Sequence, residues 1–299
     1  MLRDIDVNLY DRSRLQAQFG AFLKTDALKT DTLPGRVESE LLGEQYARIL
    51  KDSARLVAHQ WREHIERSAL KGFLFHGGPG TGKTSMAKRL AYEMCRIFGN
   101  DGGVEGSAAE PGNEVVLVMV DGSDIARGRY GDSEERLADF FEYARDGESH
   151  GHTHGGGHGH RHEGDAMRRT VLLFDDVESL FMARSAAGAR EWHFSQNSVF
   201  FHGIDELDTS HTVVVLTTNR IDLVDAAVID RFMCFEFSPP SVDVQIEVAR
   251  DRARLQHLND ADIAAVIDRI REGDPLRSLR EVERLVTQAY VNKILTRQP

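Results

Sequence analysis

The chain has 299 residues, room for one large domain or a large and a small one, and a formal net charge of −11 that argues against non-specific nucleic-acid binding through phosphate neutralisation. Its two cysteines, Cys95 and Cys234, lie far apart and outside any CxxC pair, which argues against a disulfide framework or structural zinc and fits a reducing cytoplasm. No apolar run is long enough to span a bilayer, so no membrane association is expected, and the first residues lack the basic start and apolar stretch of a signal peptide.

Residues 1–35, ending in Leu33-Pro34-Gly35, read as an N-terminal extension with one or two short helices. From Val37 to about Ile65, apolar residues recur at helical spacing, and Phe73-Leu74-Phe75 between glycines reads as a buried strand. A helix is expected from Lys83 to about Ile97, then a Gly-rich surface loop over Asn100–Asn113 and a strand over Val115–Val120. Ser133–Arg145 reads as a helix with Leu137, Phe140, Phe141 and Tyr143 as its apolar set. Residues 148–164 form a His/Gly-rich tract. Further strands are expected at Val171–Phe174, Val213–Leu216 and Cys234–Phe237, with a helix over Asn197–Leu207. After Pro239-Pro240 the pattern is helical to the end, over Ser241–Leu255, Asp260–Arg271 and Ser278–Leu295. Strands alternating with helices predict an α/β fold: a parallel sheet with helices on both faces over 36–239, followed by a small helical domain over 240–299.

Gly77-Gly78-Pro79-Gly80-Thr81-Gly82-Lys83-Thr84 matches GxxxxGK[ST] between an expected strand and helix, the context a P-loop requires. Its glycines let backbone N–H groups of residues 78–82 converge on phosphates, and the helix N-terminus at Lys83, Thr84 and Ser85 adds partial positive charge. Lys83 would reach the β- and γ-phosphates of ATP, and Thr84 would ligate Mg2+. A second signal is the apolar strand Val171–Phe174 ending in Asp175-Asp176. At the carboxyl end of a parallel strand Asp175 would hold Mg2+ and Asp176 would orient or deprotonate the attacking water.

Val213–Leu216 runs into Thr217-Thr218-Asn219, placing an amide beside that acid pair, where it could bond the γ-phosphate or the water. Asp225–Phe232 is a short helix ending in Arg231, which is either an arginine acting on a neighbouring subunit's phosphate or a solvated helix-end arginine. Arg277, after Gly273-Asp274-Pro275, could reach the γ-phosphate from the C-terminal helices, with Arg280 as the competing choice. The tract carrying His150, His152, His154, His158, His160 and His162 is either a surface loop or a binder of Zn2+, Ni2+ or Cu2+.

In this order the pieces resemble the AAA+ superfamily over about residues 37–295. The resemblance implies a helical lid after the sheet domain, with Asn219 as sensor 1, Arg231 as the arginine finger and Arg277 as sensor 2. It also implies a homo-hexameric ring with ATP between subunits. Leu173-Phe174-Asp175-Asp176-Val177-Glu178-Ser179-Leu180, followed by Ala183-Arg184, is similar to the Walker B segment of the pachytene-checkpoint ATPases, remodellers of HORMA-domain proteins, where it reads like IDEVESL. Val213–Asn219 and Asp230-Arg231 are similar too, whereas the Gly-Leu-Ser-Gly lead-in to that family's lid arginines is absent, and Asp176 stands where most active members have Glu. The short segment before the ATPase region resembles the compact bacterial members, which accompany HORMA proteins and cyclic-oligonucleotide synthases in anti-phage operons.

By the same resemblance Arg129-Tyr130-Gly131 would face the central pore and grip an extended peptide, an aromatic ring giving contact area at little entropy cost. The alternative is that Tyr130 staples its own helix. Ser185–Trp192, with Arg190 and Trp192, would form a second pore loop. The expected activity is ATP-driven remodelling of a protein, with a HORMA-domain protein as the implied partner. The alternatives are a nucleic-acid motor or loader, which the acidity disfavours, and a slowly hydrolysing scaffold, which Asp176 suggests.

Overall fold

The computed structural model describes residues 23–27, 43–98, 115–121, 169–181 and 191–296, together with residues 134, 137, 138 and 141. Its elements in chain order are β1 (Leu23–Ala27), α1 (Gly43–Arg62), β2 (Gly72–His76), α2 (Lys83–Phe98), β3 (Val115–Asp121), β4 (Arg169–Asp175), α3 (Glu191–Asp205), β5 (Thr212–Thr218), α4 (Ala226–Ile229), β6 (Met233–Glu236), α5 (Val242–Leu255), α6 (Asp260–Glu272) and α7 (Leu279–Thr296).

The six strands form one sheet in the order β1-β3-β4-β5-β2-β6. All pairs from β3 to β6 are parallel, as the alternation of elements predicts. The edge strand β1 differs: it runs antiparallel to β3, with Leu23 opposite Val120 and Ala27 opposite Val116. The sequence reads this segment as part of an N-terminal extension with one or two short helices, whereas Leu23–Ala27 is a strand. A five-residue piece is too short for periodicity to decide, and the free edge of β3 supplies backbone partners that local sequence does not reveal.

Apolar runs in the parallel strands alternate between two cores. Val171 and Leu173 of β4, with Val213 and Val215 of β5 and Phe73 and Phe75 of β2, face α1 and α2, where Trp61, Met86, Leu90 and Met94 are fully buried. Leu172 and Phe174, with Val214, Leu216 and Leu74, face the opposite side, where Phe200 and Ile204 of α3 and the helical residues Leu137 and Phe141 close the layer. Burial on both faces explains why these strands read as continuous apolar runs.

Helices α5–α7 form a lid with its own core of Ile246, Ala249, Ala253, Val266, Ile270, Val282 and Val286. Ser241 caps α5 by accepting from the Val244 N–H, and Asn259 and Asp262 form a capping box on α6. The lid is joined to the sheet domain beside the P-loop, where the Leu279 N–H donates to the Gly80 carbonyl at 2.9 Å. The helix expected over Asn197–Leu207 starts at Glu191, so Trp192 lies in the first turn of α3 rather than in a loop. Arg129, Tyr130, Gly131, Arg190 and the His/Gly tract lie outside the described residues.

Candidate active site

Strands β2, β4 and β5 are neighbours through β5, so their carboxyl ends bring residues 77–84, Asp175-Asp176 and Thr217–Asn219 together. The loop after β2 has a backbone that only glycine adopts freely. Gly77 and Gly80 sit at φ 141° and 71°, and a Cβ on Gly77 would stand 2.2 Å from the Phe237 carbonyl oxygen. This turn delivers Lys83 to the start of α2, buried, with its ammonium donating to the Gly77 and Gly78 carbonyls at 2.9 and 2.8 Å and to Asn219 Oδ1 at 2.9 Å. Thr81 Oγ1 closes the loop on the Gly78 carbonyl at 2.9 Å.

Opposite the loop, Thr84 Oγ1 donates to Asp175 Oδ1 at 2.9 Å. Two oxygens in adjacent corners of an octahedron at the ~2.0–2.1 Å typical of Mg2+ lie about 2.9 Å apart, so this hard-oxygen pair fits that ion. Thr217 of β5 also donates to Asp175 Oδ1, and it accepts from the Asp176 N–H at 3.1 Å. Thr217 therefore fixes both acids; in the sequence it is only the first polar residue after the apolar run Val213–Leu216, and nothing local shows that it faces Asp175 and Asp176.

Asp176 departs from β4 in the left-handed region, at φ 54° and ψ 52°, and leads into one turn of 3-10 helix at Val177–Ser179. Aspartate tolerates this region better than most side chains. The turn directs its carboxylate to Asn219, whose Nδ2 donates to Asp176 Oδ1 at 2.8 Å. Asn219 thus joins Lys83 to Asp176 through its two amide atoms. Glu178 stands behind, accepting from the Asn219 N–H at 3.3 Å through Oε1 while its Oε2 is buried without a hydrogen-bond partner. Burial pulls the Lys83 ammonium below its usual pKa; Asp176, Glu178 and Asp175 oppose that pull, and Arg280 adds to it.

Lys83, Thr84, Asp175, Asp176 and Asn219 line a cavity of about 280 Å3 between the sheet and the lid. Gly80, Gly82, Lys83, Thr84 and Ser85 form its floor, and Asp175, Asp176 and Asn219 one wall. The lid contributes Val248, Arg252, Leu279, Arg280 and Glu283, and α2 contributes Arg89. Of the two arginines read as alternatives, Arg280 lines the cavity. Arg277 does not; it folds back on its own loop, where a Cβ on Gly273 would meet Arg277 Nη2 at 2.0 Å. Which face of α7 meets the P-loop is set by the packing of the three lid helices. Spacing from Pro275 could not reveal it.

Arg231 lies outside this cavity, just beyond α4. Its Nε and Nη2 donate to the two carboxylate oxygens of Asp205 at 2.9 and 3.0 Å, and Nη1 donates to the Ala227 carbonyl at 2.9 Å. The Arg231 hydrogen bond holds the Asp205 carboxyl below its usual pKa, and the same bond raises that of Arg231. Among the described residues no cluster of three or more His, Cys, Asp or Glu could hold a metal, and no helix is long and apolar enough to cross a membrane.

The model of the ATPase family associated with various cellular activities (AAA) matches residues 73–239. An AAA ATPase forming ring-shaped complexes from Bifidobacterium animalis subsp. lactis (strain AD011) is 29% identical over 213 residues, 70% of this chain and 33% of that protein. A protein of the same description from Corynebacterium diphtheriae (strain ATCC 700971 / NCTC 13129 / Biotype gravis) is 25% identical over 210 residues, 70% of this chain and 34% of that one. The matched region thus spans about a third of the length of these relatives. Among solved structures, a chain of the E. coli MS115-1 HORMA:CdnC:Trip13 complex aligns with a TM-score of 0.63 at 19% identity, covering 93% of this chain and 90% of that one. The FIGL-1 AAA domain in complex with ADP aligns with a TM-score of 0.62 at 15% identity, covering 99% and 83%. Both structural likenesses are likenesses of fold.

Proposed function

The chain belongs to the AAA family of ATPases, and we propose that it hydrolyses ATP as a hexameric ring of identical subunits and uses the cycle to remodel or partly unfold a protein partner. The observation that carries the reading is the convergence of Lys83, the Thr84–Asp175 oxygen pair and the Asn219-held Asp176 on one cavity closed by the lid. In this reading residues 78–85 bind the triphosphate, with Lys83 moving from the loop carbonyls to the β- and γ-phosphates. Asp176 orients a water and accepts its proton as the water oxygen bonds to the γ-phosphorus and the bond to the β-phosphate oxygen breaks, giving ADP and phosphate. Mg2+ held by Thr84 and Asp175 would neutralise charge building on the β- and γ-oxygens. Asn219 keeps Asp176 on the water, and Arg280 closes the lid over the γ-phosphate. Arg231, outside its own cavity, serves the neighbouring subunit as arginine finger.

The boundary at 239/240 between large domain and lid, and a cytoplasmic site of action consistent with the free cysteines Cys95 and Cys234, belong to the same proposal. A HORMA-domain protein is the partner we favour, for two reasons: the resemblance of Leu173–Leu180 to the pachytene-checkpoint segment, and the fold shared with a chain of a complex that contains a HORMA protein. A bacterial cyclic-oligonucleotide anti-phage system is the setting this implies. Arg129, Tyr130, Gly131 and Trp192 are then the residues that would grip the threaded chain. The left-handed backbone and short side chain of Asp176 favour a second reading, a slowly hydrolysing scaffold. The test is phosphate release with a HORMA-domain protein, with DNA, and with neither, alongside conversion of the HORMA protein measured by protease sensitivity. Stimulation by the HORMA protein with ATP-dependent conversion supports remodelling; stimulation by DNA alone favours a loader; ATP binding without either favours the scaffold.

A further inference from the structure

We infer that Asp205 is a positioning residue for the arginine finger, and that helix α3 holds the Arg231 guanidinium ready for the nucleotide of the neighbouring subunit. The inference rests on the reading of Arg231 as a finger. A finger must present a planar donor at a fixed point outside its own subunit, yet arginine has a long side chain with much rotamer freedom to lose. The element before it cannot supply that order alone, since α4 spans only Ala226–Ile229. Asp205, the last residue of α3, grips the Nε–Nη2 edge through two bonds at 2.9 and 3.0 Å. A two-bond grip fixes the plane of the guanidinium as well as its position. The Ala227 carbonyl takes a third bond at 2.9 Å, and the Phe201 ring lies 4.7 Å beneath the guanidinium carbon. Three of the five N–H donors are thereby engaged, leaving two for a phosphoryl oxygen on another subunit.

Helix α3 grips α4 at its other end as well. The fully buried Asn197 directs its Nδ2 at 3.5 Å to Asp225 Oδ2, and Asp225 is the residue that caps α4. Between these two contacts Phe200 of α3 stacks on Phe232 at 6.4 Å. The finger and its helix are therefore carried on α3 as one body. Folding stability does not account for the Asp205 contact, because side chains 54% and 31% exposed form an ion pair that solvent largely screens. What the contact fixes is direction.

The test is subunit mixing with full-length protein. Arg231→Ala subunits keep an intact nucleotide site without a finger, and Lys83→Ala subunits keep the finger without the nucleotide lysine. Mixed rings, verified by co-elution of differently tagged subunits, should regain phosphate release. Asp205→Ala is then placed either in the Lys83→Ala donor or in the Arg231→Ala acceptor, with melting temperatures of both double variants measured. The expected result is that rescue falls about tenfold or more when Asp205→Ala is in the donor, since a misplacement of about 1 Å can cost on the order of a hundredfold. In the acceptor, where no finger is left to aim, it should change rescue little. Asp205→Glu in the donor should recover part of the loss. Equal rescue by the donor with and without Asp205→Ala overturns the inference, and so does an equal loss in both positions, which would mark a merely structural role. Absence of rescue by the Lys83→Ala donor itself, in mixed rings shown to form, instead overturns the finger reading on which the inference stands.

Discussion

Asp176→Asn separates the chemistry at the strand end from nucleotide binding. Asparagine has the same shape and, like aspartate, tolerates the left-handed region, so the backbone at φ 54° and ψ 52° should be kept. Its amide oxygen can still accept the Asn219 Nδ2 donor that stands 2.8 Å from Asp176 Oδ1. The Thr84–Asp175 pair and the P-loop are untouched, so ATP affinity should hold. It could tighten slightly, because one of the three carboxylates near Lys83 loses its charge and no longer repels the triphosphate. What disappears is the proton acceptor. General-base catalysis contributes about 10²–10⁴-fold, equivalent to about 3–5 kcal/mol of barrier at ~1.36 kcal/mol per decade. Steady-state phosphate release should fall by that factor while a fluorescent ATP analogue binds as before, leaving an ATP-bound ring. Asp176→Glu should leave turnover equal or faster, because the added methylene extends the carboxylate toward the water. Phosphate release by Asp176→Asn within about threefold of the parent would refute the assignment and direct attention to Glu178, whose Oε1 lies 3.3 Å from the Asn219 nitrogen.

Arg280→Ala should weaken ATP binding by about 10–100-fold, the equivalent of losing a charge-assisted hydrogen bond of ~1.5–3 kcal/mol. Arg277→Ala should weaken it far less, and calorimetric titration of both variants decides between them. Tyr46 is 6% exposed, donates to the Ser238 carbonyl and is pushed up by burial to about 12. Its folded pKa lies above the unfolded value, so its contribution is intact below the unfolded pKa and falls as pH rises through that window, by about 2–3 kcal/mol. Urea midpoints on either side of the window should show a larger alkaline loss in the parent than in Tyr46→Phe, the remainder coming from groups such as the buried Cys95 thiol, which burial also pushes up. Phe174→Ala removes a fully buried ring that lies 5.7 Å from Phe200 and 6.2 Å from Phe141, and should cost about 3–5 kcal/mol in a denaturant titration.

Features made by neighbours in the chain were legible in the sequence. The P-loop is one, because its φ > 0 glycines, its lysine and the helix start all fall within eight residues, and no distant contact is needed to recognise it. The apolar runs that lead into Asp175-Asp176 and Thr217-Thr218-Asn219 are others, since a strand buried on both faces is apolar through its middle and turns polar toward its carboxyl end. The helices after Pro240 follow the same logic, with Ser241 and Asn259 marking their starts. Tertiary structure decided what these residues meet. Thr217 reaches Asp175 and Asp176 from the neighbouring strand, Asp205 meets Arg231 from another helix, and Arg280 lines the cavity because the lid core sets the rotation of α7, whereas Arg277 stays in the loop before it. The left-handed turn at Asp176 and the antiparallel β1 are of the same kind. A periodic pattern tells which side of an element is apolar, but hydrogen bonds between elements distant in sequence depend on how those elements are stacked, and only the folded chain holds that information.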